Sequence, residues 1–434
     1  MKKSILFNAL LFTSLLLNAQ QKCAFNSILN YYEQIQPGYI STVSNTFDEV
    51  KNNATLRADE DSFFTVQVVV HVVYKTAAQN LPDSVIHNQI KILNDDYSRK
   101  NADTLNLRPE FFPVKGNDSK IRFALATIDP QGNVTNGIVR KSTTTTSFFS
   151  LNGGGVAEGV KSAATGGSNA WNQGKYLNIW VCNMDLFGQA FVLGYATPPS
   201  GLPNWDSAST SGISDGVVIQ YQYFGSNNAN VAAAGYTVKG RTVTHEVGHY
   251  LGLRHIWGDG GGSGACDGTD GIDDTPKADA ASSQELACGN VVNSCTEPTL
   301  TFGDLNDMTE NYMDYSAETC QNSFTDGQAK FMHNVIVTKR RGAVKNTTNI
   351  YKIENNILNI YPNPAINLIT LQFSNNTNNA VVSIYNLLGN LVKSEKLNGT
   401  HQSIDIAELP NGYYVVNITD NNKNTSQKKL CIKR

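Results

Sequence analysis

The stretch "THEVGHYLGLRH", residues 244–255, constrains this chain more than any other feature. His245 and His249 stand four apart, so on a helix over 242–251 their imidazoles share one face. Glu246 sits one step round that helix. Gly252 ends it by taking positive φ. The chain then turns, and His255 can return towards the first two histidines. Three imidazoles meeting at one point form a ligand set for zinc, with bonds of roughly 2.0–2.1 Å and a fourth position left open. Beside such a site Glu246 can face a zinc-activated water and act as its general base. His-Glu-x-x-His with Gly and His at these offsets arises by chance in about one such chain in 10⁵. A solvated helix with scattered histidines is therefore a weak competitor.

The rest of the chain sets the context. Its 434 residues suggest two or three domains. A formal net charge of −3 creates no field for nucleic acid, so none is expected as a partner. "MKKSILFNALLFTSLLLNAQ" has two lysines, a short apolar run and a small residue near its end. That is the pattern of a secretory signal peptide over 1–20, cut near Ala19 or Gln20. The run is too short for a comfortable membrane anchor, and no other segment reads as transmembrane. Gln20-Gln21-Lys22 ahead of Cys23 lacks the Leu-x-small-Cys pattern of a lipoprotein. An exported chain permits disulfides. Of seven cysteines, Cys266, Cys288, Cys295 and Cys320 crowd the loop after the motif, and sequence alone allows three pairings among four.

Residues 21–60 read as a polar pro-segment with one short helical stretch around "NSILNYYEQI" and no strong core pattern. A β-branched central strand follows over 63–76. Next comes a helix carrying Ile86, Ile90, Leu93 and Tyr97, opened by Asp83 or Ser84. Strands are expected near 120–129, 175–184 and 215–221, and then the motif helix. This order predicts an α/β (α+β) domain over 61–342. The 175–184 strand is expected at the sheet edge, free to pair with an extended substrate, and a cleft should divide 63–251 from a loop-rich 252–341. A last helix over 324–341 is capped by Thr325. Cys182 reads as a buried thiol, and His71, His87 and His333 as core or surface histidines. Residues 343–356 form a linker. From 357 to 434, short alternating runs split by Asn, Gly and Pro predict a small all-β sandwich.

His245-Glu246-x-x-His249-x-x-Gly252-x-x-His255 resembles the zinc signature of metzincin metalloproteases. Within them the chain resembles the pappalysins (cytophagalysin-like), through "VVVHVVY", "GLRHIWGD" and "CDGTDGIDDTP". The resemblance implies a secreted zinc endopeptidase acting on protein or peptide substrates. It makes Met313 of "ENYMDYS" the Met-turn residue, and gives Tyr315 a role in holding the oxyanion. It implies interleaved disulfides, Cys266–Cys295 and Cys288–Cys320. Asp267, Asp270, Asp273 and Thr275, with Asp274 among them, offer hard oxygen ligands beside glycines, so a structural calcium is expected. Cys23 is either a stray thiol or a latency switch whose thiolate fills the open zinc position. Some relatives favour Arg after the scissile bond, with an acid just before the cysteine that follows the Met-turn. Here Thr319 holds that place and Glu318 adjoins it, so relaxed specificity is expected. The 357–434 tail resembles the sorting domain of type IX secretion cargo, through "IYPNPA", "IYNLLGNLV" and "LPNGYYVV". It implies export through the periplasm to the surface or medium by the outer-membrane secretion machinery. The rival from another class is a non-catalytic surface or adhesion protein with a structural zinc, to which an intact Glu246 would be of no use.

Overall fold

The structure, a computed structural model, describes residues 21–52, 63–151, 154–201, 212–231, 237–258, 266–284, 287–297, 302–345, 357–386, 389–419 and 425–434. The expected signal peptide over 1–20 and most of the expected linker over 343–356 lie outside the described residues. The chain divides into two compact units, 1–345 and 346–434.

In the first unit the elements run β1 (Gln21–Cys23), α1 (Phe25–Ile35), α2 (Tyr39–Asn52), β2 (Phe64–Tyr74), α3 (Asp83–Tyr97), β3 (Ile121–Leu125) and β4 (Ile138–Ser142). There follow β5 (Leu177–Cys182), β6 (Val192–Ala196), β7 (Val217–Gln220), α4 (Arg241–Tyr250), α5 (Asp326–Lys339) and β8 (Val344–Lys345). The eight strands form one sheet in which β2 is central. β3 and β4 pair in parallel with successive halves of one side of β2, and β5 pairs in parallel with the other. The run "VQVVVHVVY" suits that place, because its β-branched residues pack on both faces of a pleat.

Alternate strand residues feed two cores. Val68, Val70, Val72, Ile179, Val181, Val217 and Ile219 face one cluster with α3, α4 and α5. Val73, Trp180, Cys182, Val218 and Tyr195 face the other. His71 is locked in the sheet, Nδ1 2.9 Å from Ser168 Oγ and Nε2 3.0 Å from Asn178 Oδ1. Thr325 caps α5 in a full capping box with Gln328, as expected. No side chain caps α3, which Pro82 precedes.

Two expectations change. The 175–184 strand is not an edge: β5 lies between β2 and β7, with every residue buried. The open side belongs to β6, which runs antiparallel to β7, and β1 covers it in parallel. A six-residue run buried on both faces is the mark of an interior strand, whereas "VLGYA" is short and carries a glycine. The 21–52 stretch is not coreless either. In α1, Phe25, Ile28, Leu29 and Tyr32 share one buried face, and α2 buries Phe47 against Phe331, ring centroids 4.5 Å apart.

The second unit is all-β: β9 (Ile357–Tyr361), β10 (Leu368–Asn386), β11 (Leu391–Asp405), β12 (Gly412–Thr419) and β13 (Thr425–Ile432). Its pairings are antiparallel, and register shifts interrupt the β10–β11 ladder. Leu371, Val382, Ile384, Val416 and Leu430 form its core. No helix among the described residues is long and apolar enough to cross a membrane.

Candidate active site

Helix α4 carries the site, and both of its ends are fixed. At its N-terminus Glu318 accepts Thr242 N and Thr242 Oγ1, each at 2.7 Å. An anion there satisfies helix donors and complements the helix dipole. Arg241 pairs with both oxygens of Asp103 at 2.7 Å. At its C-terminus Gly252 has φ +87°, the left-handed turn anticipated from the sequence.

The turn brings the three histidines together. His245 Nδ1 donates to Tyr312 O at 2.7 Å and His249 Nδ1 to Leu253 O at 2.8 Å. Those bonds fix the tautomer, leaving each Nε2 bare. His249 Nε2 lies 3.2 Å from His245 Nε2 and 3.1 Å from His255 Nε2. Nitrogens on one tetrahedral zinc, at 2.0–2.1 Å, stand about 3.3 Å apart. Three converging lone pairs repel one another unless a cation lies between them, so the donor set fits zinc. All three rings are buried. Burial, reinforced by the neighbouring imidazoles, pushes the His245 and His249 pKa values well down, which keeps both neutral and able to ligate.

Around the ligands, Met313 packs directly beneath α4. A Cβ on Gly248 would come within 2.5 Å of its sulfur. Trp257 stacks on His255 at 4.5 Å with planes 9° apart, and Tyr315 meets both rings edge-on. Trp257 was legible only as one letter of a family string; nothing in its spacing marked it as the floor of the His255 ring. Glu246 is fully buried, and that burial raises its carboxyl pKa well above the usual range. Its Oε1 has no hydrogen-bond partner.

The N-terminal segment enters this site. Cys23 Sγ and the three histidines place one ligand atom each within 4.8 Å of one another. The thiol also lies 3.3 Å from Glu246 Oε2. Ala24 N donates to Gly194 O at 2.9 Å, Tyr315 OH donates to Cys23 O at 3.1 Å, and Phe25 stacks on His249 at 4.1 Å. Lys22 is 1% exposed. Its ammonium donates to Ser316 O at 3.1 Å. Burial lowers its pKa to about 8, against the pull of Glu318 and Asp314.

The downstream loop is stapled by Cys266–Cys295 and Cys288–Cys320, interleaved as the resemblance implies. Its acids go to different places. Asp273 is exposed and pairs with Lys51 of α2 at 2.7 Å, and Asp267 is exposed. Asp274 accepts Thr325 Oγ1 and Gly327 N at the start of α5. Asp270 is buried beside Thr275 and accepts Ile272 N at 2.9 Å; burial pushes its pKa up to about 7. Thr319 is exposed. Cys182 is the buried thiol expected, and Cys431 is also free.

The family model described as pregnancy-associated plasma protein-A, peptidase family M43, matches residues 164–337. The secretion-system C-terminal sorting domain matches 359–433. Mature mirolysin of Tannerella forsythia, solved with a cleaved peptide, is 42% identical over 65% of this chain and 96% of its own, with TM-score 0.54. A promirolysin mutant from the same organism is 38% identical over 74% of this chain and 96% of its own, with TM-score 0.59. An extracellular metalloprotease of Arthroderma benhamiae is 40% identical over 120 residues; that match spans only about a third of the relative, 36%, and 28% of this chain. With the three-histidine site and these likenesses in agreement, the chain belongs to the pappalysin-like M43 family of metalloproteases and carries a type IX sorting domain C-terminal to the first unit.

Proposed function

We propose that this protein is a secreted or cell-surface zinc endopeptidase held latent by its own residues 21–52. The observation that carries this reading is the convergence of the three histidine Nε2 atoms beside Glu246, with the Cys23 sulfur at the same point. His245, His249 and His255 would hold zinc, which when bound polarises a scissile carbonyl and makes water a better nucleophile near neutral pH. Glu246 takes the proton of the attacking water on a carboxylate oxygen and returns it to the leaving amide nitrogen. A raised pKa suits the return step. Tyr315 already donates to a backbone carbonyl lying across the site, that of Cys23. The same hydroxyl would hold the carbonyl oxygen of a substrate as it gains charge.

The edge of β6 supports binding of an extended chain, since it already pairs with one. The burial of Lys22 near Glu318 and Asp314 supports a preference for a basic residue beside the scissile bond. This departs from the relaxed specificity suggested by Thr319, because the acids sit at other positions. The Cys23 thiol supports the latency switch over the stray thiol: as a thiolate it would complete the ligand set. A structural calcium is proposed at the buried Asp270–Thr275 pair. The tail would direct passage through the periplasm and across the outer membrane. A structural-zinc adhesin gives Glu246 no reason to lie buried beside the ligands.

Casein cleavage by the purified full chain, with and without a zinc chelator, tests the reading. The expected result is cleavage that follows loss of the Cys23 segment, stops with chelator and returns with zinc. Chelator-insensitive cleavage would overturn it.

A further inference from the structure

Among the buried titratable clusters outside the zinc site is one that the mechanism does not use and that the N-terminal segment completes. Glu158 and Lys161 sit in the loop ahead of β5, their charged ends 2.7 Å apart and their side chains 15% and 2% exposed. Tyr195 of β6 donates its hydroxyl to Glu158 Oε1 at 2.9 Å. Lys161 also donates to Ser214 O at 2.8 Å. Its ammonium lies 5.6 Å from the Trp180 ring centre and 5.3 Å from that of Tyr195. Such a pair is costly to bury unless its remaining donors and acceptors are met.

The partner that completes it is Tyr32 of α1. Its hydroxyl donates to Glu158 Oε2 at 2.6 Å, and its ring lies 5.9 Å from the Lys161 ammonium. Tyr32 is fully buried, yet it belongs to the segment that must leave for the zinc site to open. When it goes, Glu158 keeps Tyr195 and Lys161, so the charges stay in place. The carboxylate oxygen that Tyr32 met is left behind, on an apolar face that Ile28, Leu29 and Tyr39 vacate with it.

The cluster adjoins the strand that holds the segment. Tyr195 follows Gly194, whose carbonyl holds the segment backbone at Cys23–Ala24. Phe25 stacks on a zinc-site histidine, and Tyr32 stands seven residues further along α1, about 10 Å. An extended chain covers that distance in about three residues. Lys22, with its acidic surroundings, precedes Cys23 in the chain, whereas Phe25 and Tyr32 follow it. The segment therefore lies across the zinc site in the manner of a substrate, a lysine towards one end and a phenol towards the other.

We infer that the activated protease has a subsite, formed by Glu158, Lys161 and Tyr195, that takes a substrate tyrosine two to four residues from the scissile bond, on the side away from the Lys22 position. Its selectivity comes from the phenol proton: a site built to accept a hydrogen bond from a hydroxyl leaves a buried carboxylate oxygen unmet when phenylalanine enters. The inference rests on the protease reading above.

The test uses the full chain after it has shed its segment, with decapeptides that share a lysine beside the scissile bond and differ at one scanned position. That position carries tyrosine, phenylalanine or O-methyltyrosine. At one position the expected kcat/KM is roughly tenfold higher for tyrosine than for phenylalanine, with O-methyltyrosine no better than phenylalanine. Glu158→Gln should reduce the ratio to about twofold, and the unaltered enzyme with O-methyltyrosine decides the matter without any variant. A ratio near one at every position overturns the subsite while leaving the protease intact. Zinc-loaded, segment-free protein that cuts none of the peptides overturns the protease reading and the subsite together.

Discussion

The two faces of the central sheet are built from different stock. Among the described residues, the face against α3, α4 and α5 draws its core from the whole of the first unit, from Val66 to Ile336, with only Phe47 and Val50 supplied by the N-terminal segment. On the opposite face, Cys23, Phe25, Ile28, Leu29, Tyr32 and Tyr39 pack with Trp180, Tyr195 and Val218. The first face holds up the helix that bears the histidines, and loss of the segment would take only Phe47 and Val50 from it. The second is completed by residues of the segment, two of which, Cys23 and Phe25, lie against the zinc-site residues, and on the proposed reading it loses them on activation. If the proposed latency holds, such a precursor is stable and latent together, because the contacts that Cys23 and Phe25 make at the histidines are also part of a core.

The sharpest way to break this comparison is to truncate one residue on each face. Ile28→Ala should destabilise the precursor by about 2–5 kcal/mol and leave the segment-free enzyme unchanged, since the residue is no longer present. Ile179→Ala should cost both forms a similar amount. Thermal melts before and after activation check this; equal losses from both variants in both forms would erase the distinction between the faces. A smaller effect is expected under the zinc helix. Gly248→Ala places a methyl against the Met313 sulfur and should cost about 1–3 kcal/mol. Gly248→Ala with Met313→Leu in the same chain should recover part of that loss.

The smallest effect is a pH dependence at Asp270. Burial raises its folded pKa to about 7, above its unfolded value. Its contribution to stability is therefore fully present below the unfolded carboxylate range and is lost as pH rises through 7. Asp270→Asn should flatten this loss. If calcium binds there, adding calcium at pH 8 raises the melting temperature of the unaltered chain and not that of the variant; equal responses would place the ion elsewhere.

How much of this was legible in sequence follows from how local each signal is. The zinc helix and Gly252 were legible because helix period and one turn fix three imidazoles within eleven residues. The disulfide pairing and Tyr315 needed the family resemblance, since no spacing rule connects residues thirty to sixty apart in a loop. The 21–52 segment was misjudged: four buried positions at helical spacing, Phe25, Ile28, Leu29 and Tyr32, were present but diluted among Asn, Ser, Glu and Gln. The partner surface that makes them core is assembled only in three dimensions. The edge strand was misplaced for a similar reason. β5 reads as a strong strand because it is buried on both faces, and an edge announces itself weakly.

The measurement that tests the central claim most directly compares Glu246→Ala with the unaltered full chain, both freed of the segment and both assayed for bound zinc and for casein cleavage. Zinc should remain at one per chain while cleavage falls by about 10²–10⁴-fold, because the ligands are intact and only the proton carrier is gone. Cleavage that persists at the unaltered rate with zinc bound would contradict the role of Glu246 and, with it, the mechanism.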